Sequence, residues 1–82
     1  MNKYYFSANM KRRRIELGLT QSDLANMLGI SQNTISEYET DVRYPTVDKV
    51  YDIANALQTM PETLMSKDMY QEVAKHKRIS FL

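Results

Sequence analysis

No cysteine occurs in this chain of 82 residues, so disulfides and thiolate metal sites are excluded and a reducing cytoplasm is the expected home. Two glycines and two prolines are too few to punctuate a many-stranded fold, and the apolar spacing is helical. An all-α domain is therefore the default. No apolar run approaches the ~18 residues of a membrane span, and the opening Met-Asn-Lys-Tyr-Tyr-Phe lacks the apolar core of an export signal. The one histidine, His76, lies in a basic tail, and no group of residues has metal-ligand spacing. Asp48 and Asp52 stand one helical turn apart like a solvated face, not an acid–base pair. No catalytic residue, metal, cofactor or small-molecule effector is expected, and an enzyme is the weakest class.

What is present is a small domain with an uneven charge. A chain this short buries only about 60–65% of its unfolded surface, so its stability margin is thin. The net charge of +1 conceals a pattern. Lys3, Lys11, Arg12, Arg13 and Arg14 put five bases and no acid in the first fourteen residues. Residues 15–74 hold three bases against all ten acids, and Lys75, Lys77 and Arg78 close the chain. Basic ends suit phosphate contacts, whereas the acidic middle opposes indiscriminate binding to nucleic acid. Lys11 to Arg13 read equally well as a solvated run.

The most informative stretch is residues 20–39. Leu24, Ala25 and Leu28 form the apolar strip of a short helix starting at Gln21, with Thr20 as N-cap and Asp23 completing a capping box. Gly29 ends it, because glycine takes positive φ without a Cβ clash. Ile30 plugs the corner and Ser31 caps a second helix. There Ile35, Tyr38 and Glu39 face inward, while Gln32, Asn33, Ser36 and Glu37 face out. Ala25 sits where two helices cross, and only a small side chain permits that approach. The spacing Ala25, Gly29, Ile35 specifies a helix-turn-helix.

Around it, a first helix is expected from about Phe6 to Leu17, with Phe6, Met10 and Leu17 buried, Ser7 as cap and Gly18 as stop. Lys3, Tyr4 and Tyr5 before it read as an arm, disordered in the free protein. Thr40 to Pro45 form a loop, and Thr46 caps a fourth helix with an apolar strip of Val47, Val50, Tyr51, Ile53, Ala54 and Leu57. Pro61 opens a short fifth helix with Leu64 and Met65. Residues 1–66 thus make the domain. Residues 67–82 form a tail in which Met69, Tyr70, Val73 and Ala74 imply an extra C-terminal helix, and Ile79, Phe81 and Leu82 an apolar end.

The outward residues of the second motif helix carry chemistry. An amide bonds bidentately to adenine N6 and N7, so Gln32 and Asn33 are candidate base contacts in a DNA major groove. Ser36 and Glu37 lie one turn on, and the base donor that suits the Glu37 carboxylate is cytosine N4. Arg43 in the following loop is the best single phosphate clamp, with Thr40, Tyr44 and Thr34 as neutral donors.

Arg14, Gly18 to Gln21, Leu24-Ala25, Leu28 to Ser31, Thr34 to Ser36, Glu39, Arg43, Pro45, Ile53-Ala54 and Ala56-Leu57 together resemble the phage repressor and Cro-type (XRE-like) helix-turn-helix family. The match covers about residues 6–65. It implies a compact five-helix repressor-like fold. It implies that Gln21 bonds a phosphate and braces the start of the recognition helix at Gln32, and that Arg14 and Glu39 form a buried structural salt bridge. Thr40-Asp41 departs from the Asn-Gly turn common in relatives, and Thr59-Met60 from the usual approach to the last helix.

The leading expectation is a sequence-specific double-stranded DNA-binding transcriptional regulator, a repressor acting as a homodimer on an inverted repeat. No sensor domain fits in so short a chain, so occupancy would follow concentration. The apolar tail end is the expected dimerisation segment. The alternative is a protein-interaction module, or an antitoxin or controller protein working mainly through a protein partner, which the acidic middle favours.

Overall fold

The computed structural model describes residues 3–67, and within them every regular element is helical. The helices are α1 (Lys3–Glu16), α2 (Gln21–Leu28), α3 (Gln32–Glu39), α4 (Val47–Ala56) and α5 (Pro61–Leu64). The expected sixth helix and the apolar end fall outside the described residues.

Local chemistry explains most boundaries. Thr20 Oγ1 accepts from Asp23 N at 2.9 Å while Asp23 Oδ2 accepts from Thr20 N at 2.8 Å, the reciprocal pair of a capping box. Those bonds, backbone first, hold the Asp23 carboxyl below its ordinary range. Gly29 closes α2 at φ 67° and Gly18 follows α1 at φ 73°, both left-handed. Ser31 and Thr46 cap α3 and α4 by accepting from Thr34 N and Lys49 N. In the loop after α3, Asp41 takes the left-handed conformation, φ 63°, which aspartate tolerates better than most residues.

The core is continuous: Phe6 and Met10 of α1, Leu24 and Ala25 of α2, Ile35 and Tyr38 of α3, Val50, Ile53 and Ala54 of α4, then Leu57 and Leu64. Ile30 and Leu28 pack against its edge. Asn9 is the most deeply buried of the polar residues there, 1% exposed. Its amide donates to the carbonyls of Leu64 (2.7 Å) and Ser66 (2.9 Å), so burial is matched by bonding and α5 is tied to α1.

Three expectations need correction. Helix α1 begins at Lys3, so residues 3–5 are helical rather than a disordered arm, and Ser7 is a buried residue within the helix rather than its cap. Val47 and Tyr51 are exposed, not core. They repeat at i, i+4 on a second side of α4, beside the buried strip, and border a cleft of about 220 Å³ with Tyr44, Pro61 and Met65.

Two outcomes follow. Asn9→Ala should lower unfolding free energy by about 1–3 kcal/mol in urea titration, because one buried and one half-buried carbonyl lose their donor. Asp23 contributes stability above the ordinary carboxyl pKa that is lost as pH falls through its depressed folded value. Asp23→Asn should therefore flatten the acid limb of a stability–pH curve below about pH 4.

Candidate nucleic-acid interface

Helix α3 turns about 100° per residue, so Gln32, Asn33, Ser36 and Glu37 fall within one arc, Ile35 and Tyr38 lie away from it, and Glu39, two turns on from Gln32, sits at its edge. Exposure follows this division. Gln32 and Asn33 are exposed, Ser36 and Glu37 half-buried, and Ile35, Tyr38 and Glu39 buried. The polar arc is thus the open face of a helix whose other side is core.

That helix is fixed from beneath by charge. Arg14 Nε donates to Glu39 Oε2 at 2.6 Å and Nη2 to Oε1 at 3.1 Å, a two-bond fork, while Nη1 donates to the Leu19 carbonyl at 2.7 Å. Both residues are 8% exposed. Gln21 Nε2 completes the cluster by donating to Glu39 Oε1 at 3.1 Å. The glutamine therefore braces the end of α3 through Glu39, and not its start through Gln32. One amide hydrogen of Gln21 remains for an outside acceptor.

The loop residues divide. Thr40 Oγ1 donates to the Ser36 carbonyl at 2.8 Å, and its backbone N–H goes to the same oxygen at 3.0 Å. A hydroxyl has a single proton, and in the free domain Thr40 spends it on capping α3. Tyr44 lays its ring edge-on against Phe6, centroids 5.5 Å apart. Burial pushes its hydroxyl pKa up, so the phenol keeps its proton, and its ring packs on the core. Thr34 Oγ1 shares a 2.9 Å bond with Ser31 Oγ at the start of α3. Arg43 Nε meets Glu37 Oε1 at 3.2 Å, and its side chain is 59% exposed.

Two pairings escaped sequence reasoning. Arg13 Nε donates to the Leu57 carbonyl at 2.9 Å and Nη2 to Gln58 O at 3.3 Å, so this arginine caps the end of α4 rather than joining a solvated run. The partners lie 44 and 45 residues away, beyond any local pattern. The Glu37–Arg43 pair did have a signal: opposite charges six apart across a tight turn. Among the described residues, no group of acids, histidines or cysteines could hold a metal.

A helix-turn-helix family model matches residues 10–64. The repressor protein C2 of Salmonella phage P22 is 32% identical over 79 residues, 95% of this chain and 37% of that protein. The HTH-type transcriptional regulator ImmR of Bacillus subtilis is 33% identical over 73 residues, 89% of this chain and 55% of that one. The chain thus spans from about a third to little over half the length of these curated relatives. The solution structure of the P22 C2 DNA-binding domain superposes with a TM-score of 0.76 at 30% identity, over 87% of this chain and 93% of that domain. A similar fold (TM-score 0.71, 25% identity) makes up 37% of the chain in a structure of FeII HppE with substrate, matching 77% of this one. Fold alone therefore does not decide function, and the weight rests on α3 and its neighbours.

Arg14→Met should destabilise the domain by about 3–5 kcal/mol, since it strands the buried Glu39 carboxylate. Arg14→Met combined with Glu39→Leu should recover most of that loss. Denaturant unfolding of the three variants beside wild type checks both statements.

Proposed function

The chain belongs to the helix-turn-helix family of DNA-binding transcriptional regulators, and on that footing we propose that it is a repressor that binds an inverted-repeat operator as a homodimer in the cytoplasm. The observation that carries this reading is the open polar face of α3, with Gln32 and Asn33 exposed above a helix locked by Arg14 and Glu39. A recognition helix must hold its side chains in fixed register, because bidentate contacts to base edges tolerate little slack. Gln32, Asn33 and Ser36 are the proposed base contacts. Gln21, Thr34 and Arg43 are the proposed phosphate contacts that orient the domain without reading sequence.

Pairing has its own support. Val47, Tyr51 and Met60 are large, apolar and exposed, and the first two border the cleft between α4 and α5. We read this apolar surface as one side of the contact between copies. The tail, residues 67–82, is the proposed dimerisation segment that adds to it. Two copies would place their recognition helices about 34–36 Å apart, one turn of the duplex. Among the described residues no helix is long and apolar enough to cross a membrane.

Selection from a random duplex pool should return palindromes, and a winner without two-fold symmetry counts against the homodimer. On the selected duplex, Gln32→Ala should lose about 1–3 kcal/mol of discrimination at one base pair per half-site. Arg43→Met should weaken binding to all sequences alike and reduce the log K against log salt slope by about 0.9 per protomer. Retention of none of these duplexes at low salt, with binding to a protein partner instead, would favour the interaction-module alternative.

A further inference from the structure

The Glu37 carboxylate does not stand open to a base. Its Oε1 lies 3.2 Å from Arg43 Nε, and only 30% of its side chain is exposed. Its main chain faces the same loop: the Glu37 carbonyl accepts from Val42 N at 3.0 Å and Arg43 N at 3.2 Å. One residue thus holds Arg43 twice, by the backbone and by the side chain. The left-handed turn at Asp41 brings the loop back far enough for both.

The manner of pairing matters. Arg14 spends Nε, Nη1 and Nη2 on internal partners. Arg43 meets Glu37 through Nε, and the Nη1–Nη2 edge is held by no described residue. That edge is a planar two-donor fork of the shape that grips a phosphate. An unrestrained arginine would lose rotamer freedom on binding, and a pre-set one loses less. Meanwhile the arginine offsets the repulsion that a bare carboxylate would feel beside DNA.

We infer that Glu37 is a positioning residue, which aims the Arg43 fork at the DNA backbone, and is not a reader of cytosine. The inference rests on the proposed DNA-binding function. It assigns the specificity of α3 to Gln32, Asn33 and Ser36, and it makes Glu37 a residue whose removal weakens binding even though it takes away a negative charge.

A double-mutant cycle on the selected duplex and its single-base variants tests this, with Glu37→Ala, Glu37→Gln, Arg43→Met and the Ala–Met double variant. Glu37→Ala should weaken every duplex by one common factor, about three- to tenfold. Glu37→Gln, which keeps an acceptor for Nε, should restore part of the loss. In the Arg43→Met background the alanine change should cause no further loss, and relief of the bare carboxylate's repulsion can only strengthen binding there. A loss confined to one base pair, additive losses in the double variant, or tighter binding by both Glu37 variants each overturns the inference while leaving the DNA-binding function intact. Failure of the wild-type protein to retain any duplex at low salt overturns both. Should Glu37→Ala melt too low to measure, Glu37→Gln with Arg43→Lys runs the same cycle, because lysine keeps the charge and lacks the fork.

Discussion

The orientation of α3 depends on one buried ion pair. Arg14 and Glu39 are both removed from water, which is costly, and their attraction offsets that cost only because nearly every polar atom is bonded. The arginine satisfies two carboxylate oxygens and the Leu19 carbonyl, and Gln21 adds a further donor. The cluster ties α1, the link after it, α2 and α3 together at one point. Hydrophobic contacts from Ile35 and Tyr38 hold α3 against the core but leave its rotation less defined. The fork geometry supplies that missing angular restraint.

Charge is divided by burial. Arg13 and Arg14, adjacent in sequence, both serve the fold: one caps the end of α4 and the other fixes α3. Arg43, on the exposed loop, pairs by one edge only. The same guanidinium has all three nitrogens bonded within the domain at position 14, and two nitrogens with no described partner at position 43. Counting bases along the chain hides this difference, since two of the five N-terminal bases are committed internally.

Sequence legibility followed locality. The α2–turn–α3 unit could be read residue by residue because its determinants lie within three or four positions of one another: Thr20 with Asp23, Gly29 at the corner, Ser31 with Thr34. The start of α1 was misplaced because Ser7, four residues inside the helix, has the chemistry of a cap. Val47 and Tyr51 fit the apolar period of α4 loosely enough to be counted as core, yet the helix has only one side against the domain. The arc of α3 followed from its period, but hydroxyl protons at Thr40 and the ring of Tyr44 were committed by contacts that periodicity does not encode. Arg13 was the least legible, its acceptors being far along the chain.

Helix α1 carries both the Asn9 anchor to Leu64 and Ser66 and the Arg14 anchor to Glu39, five positions apart, or about 7.5 Å along the axis. Between these anchors runs unbroken helix, with no loop to yield. Ser66 and Glu39 are therefore joined through one rigid element. The helix acts as a tie-rod, and any cargo fused after that point would share a mechanical frame with the polar arc.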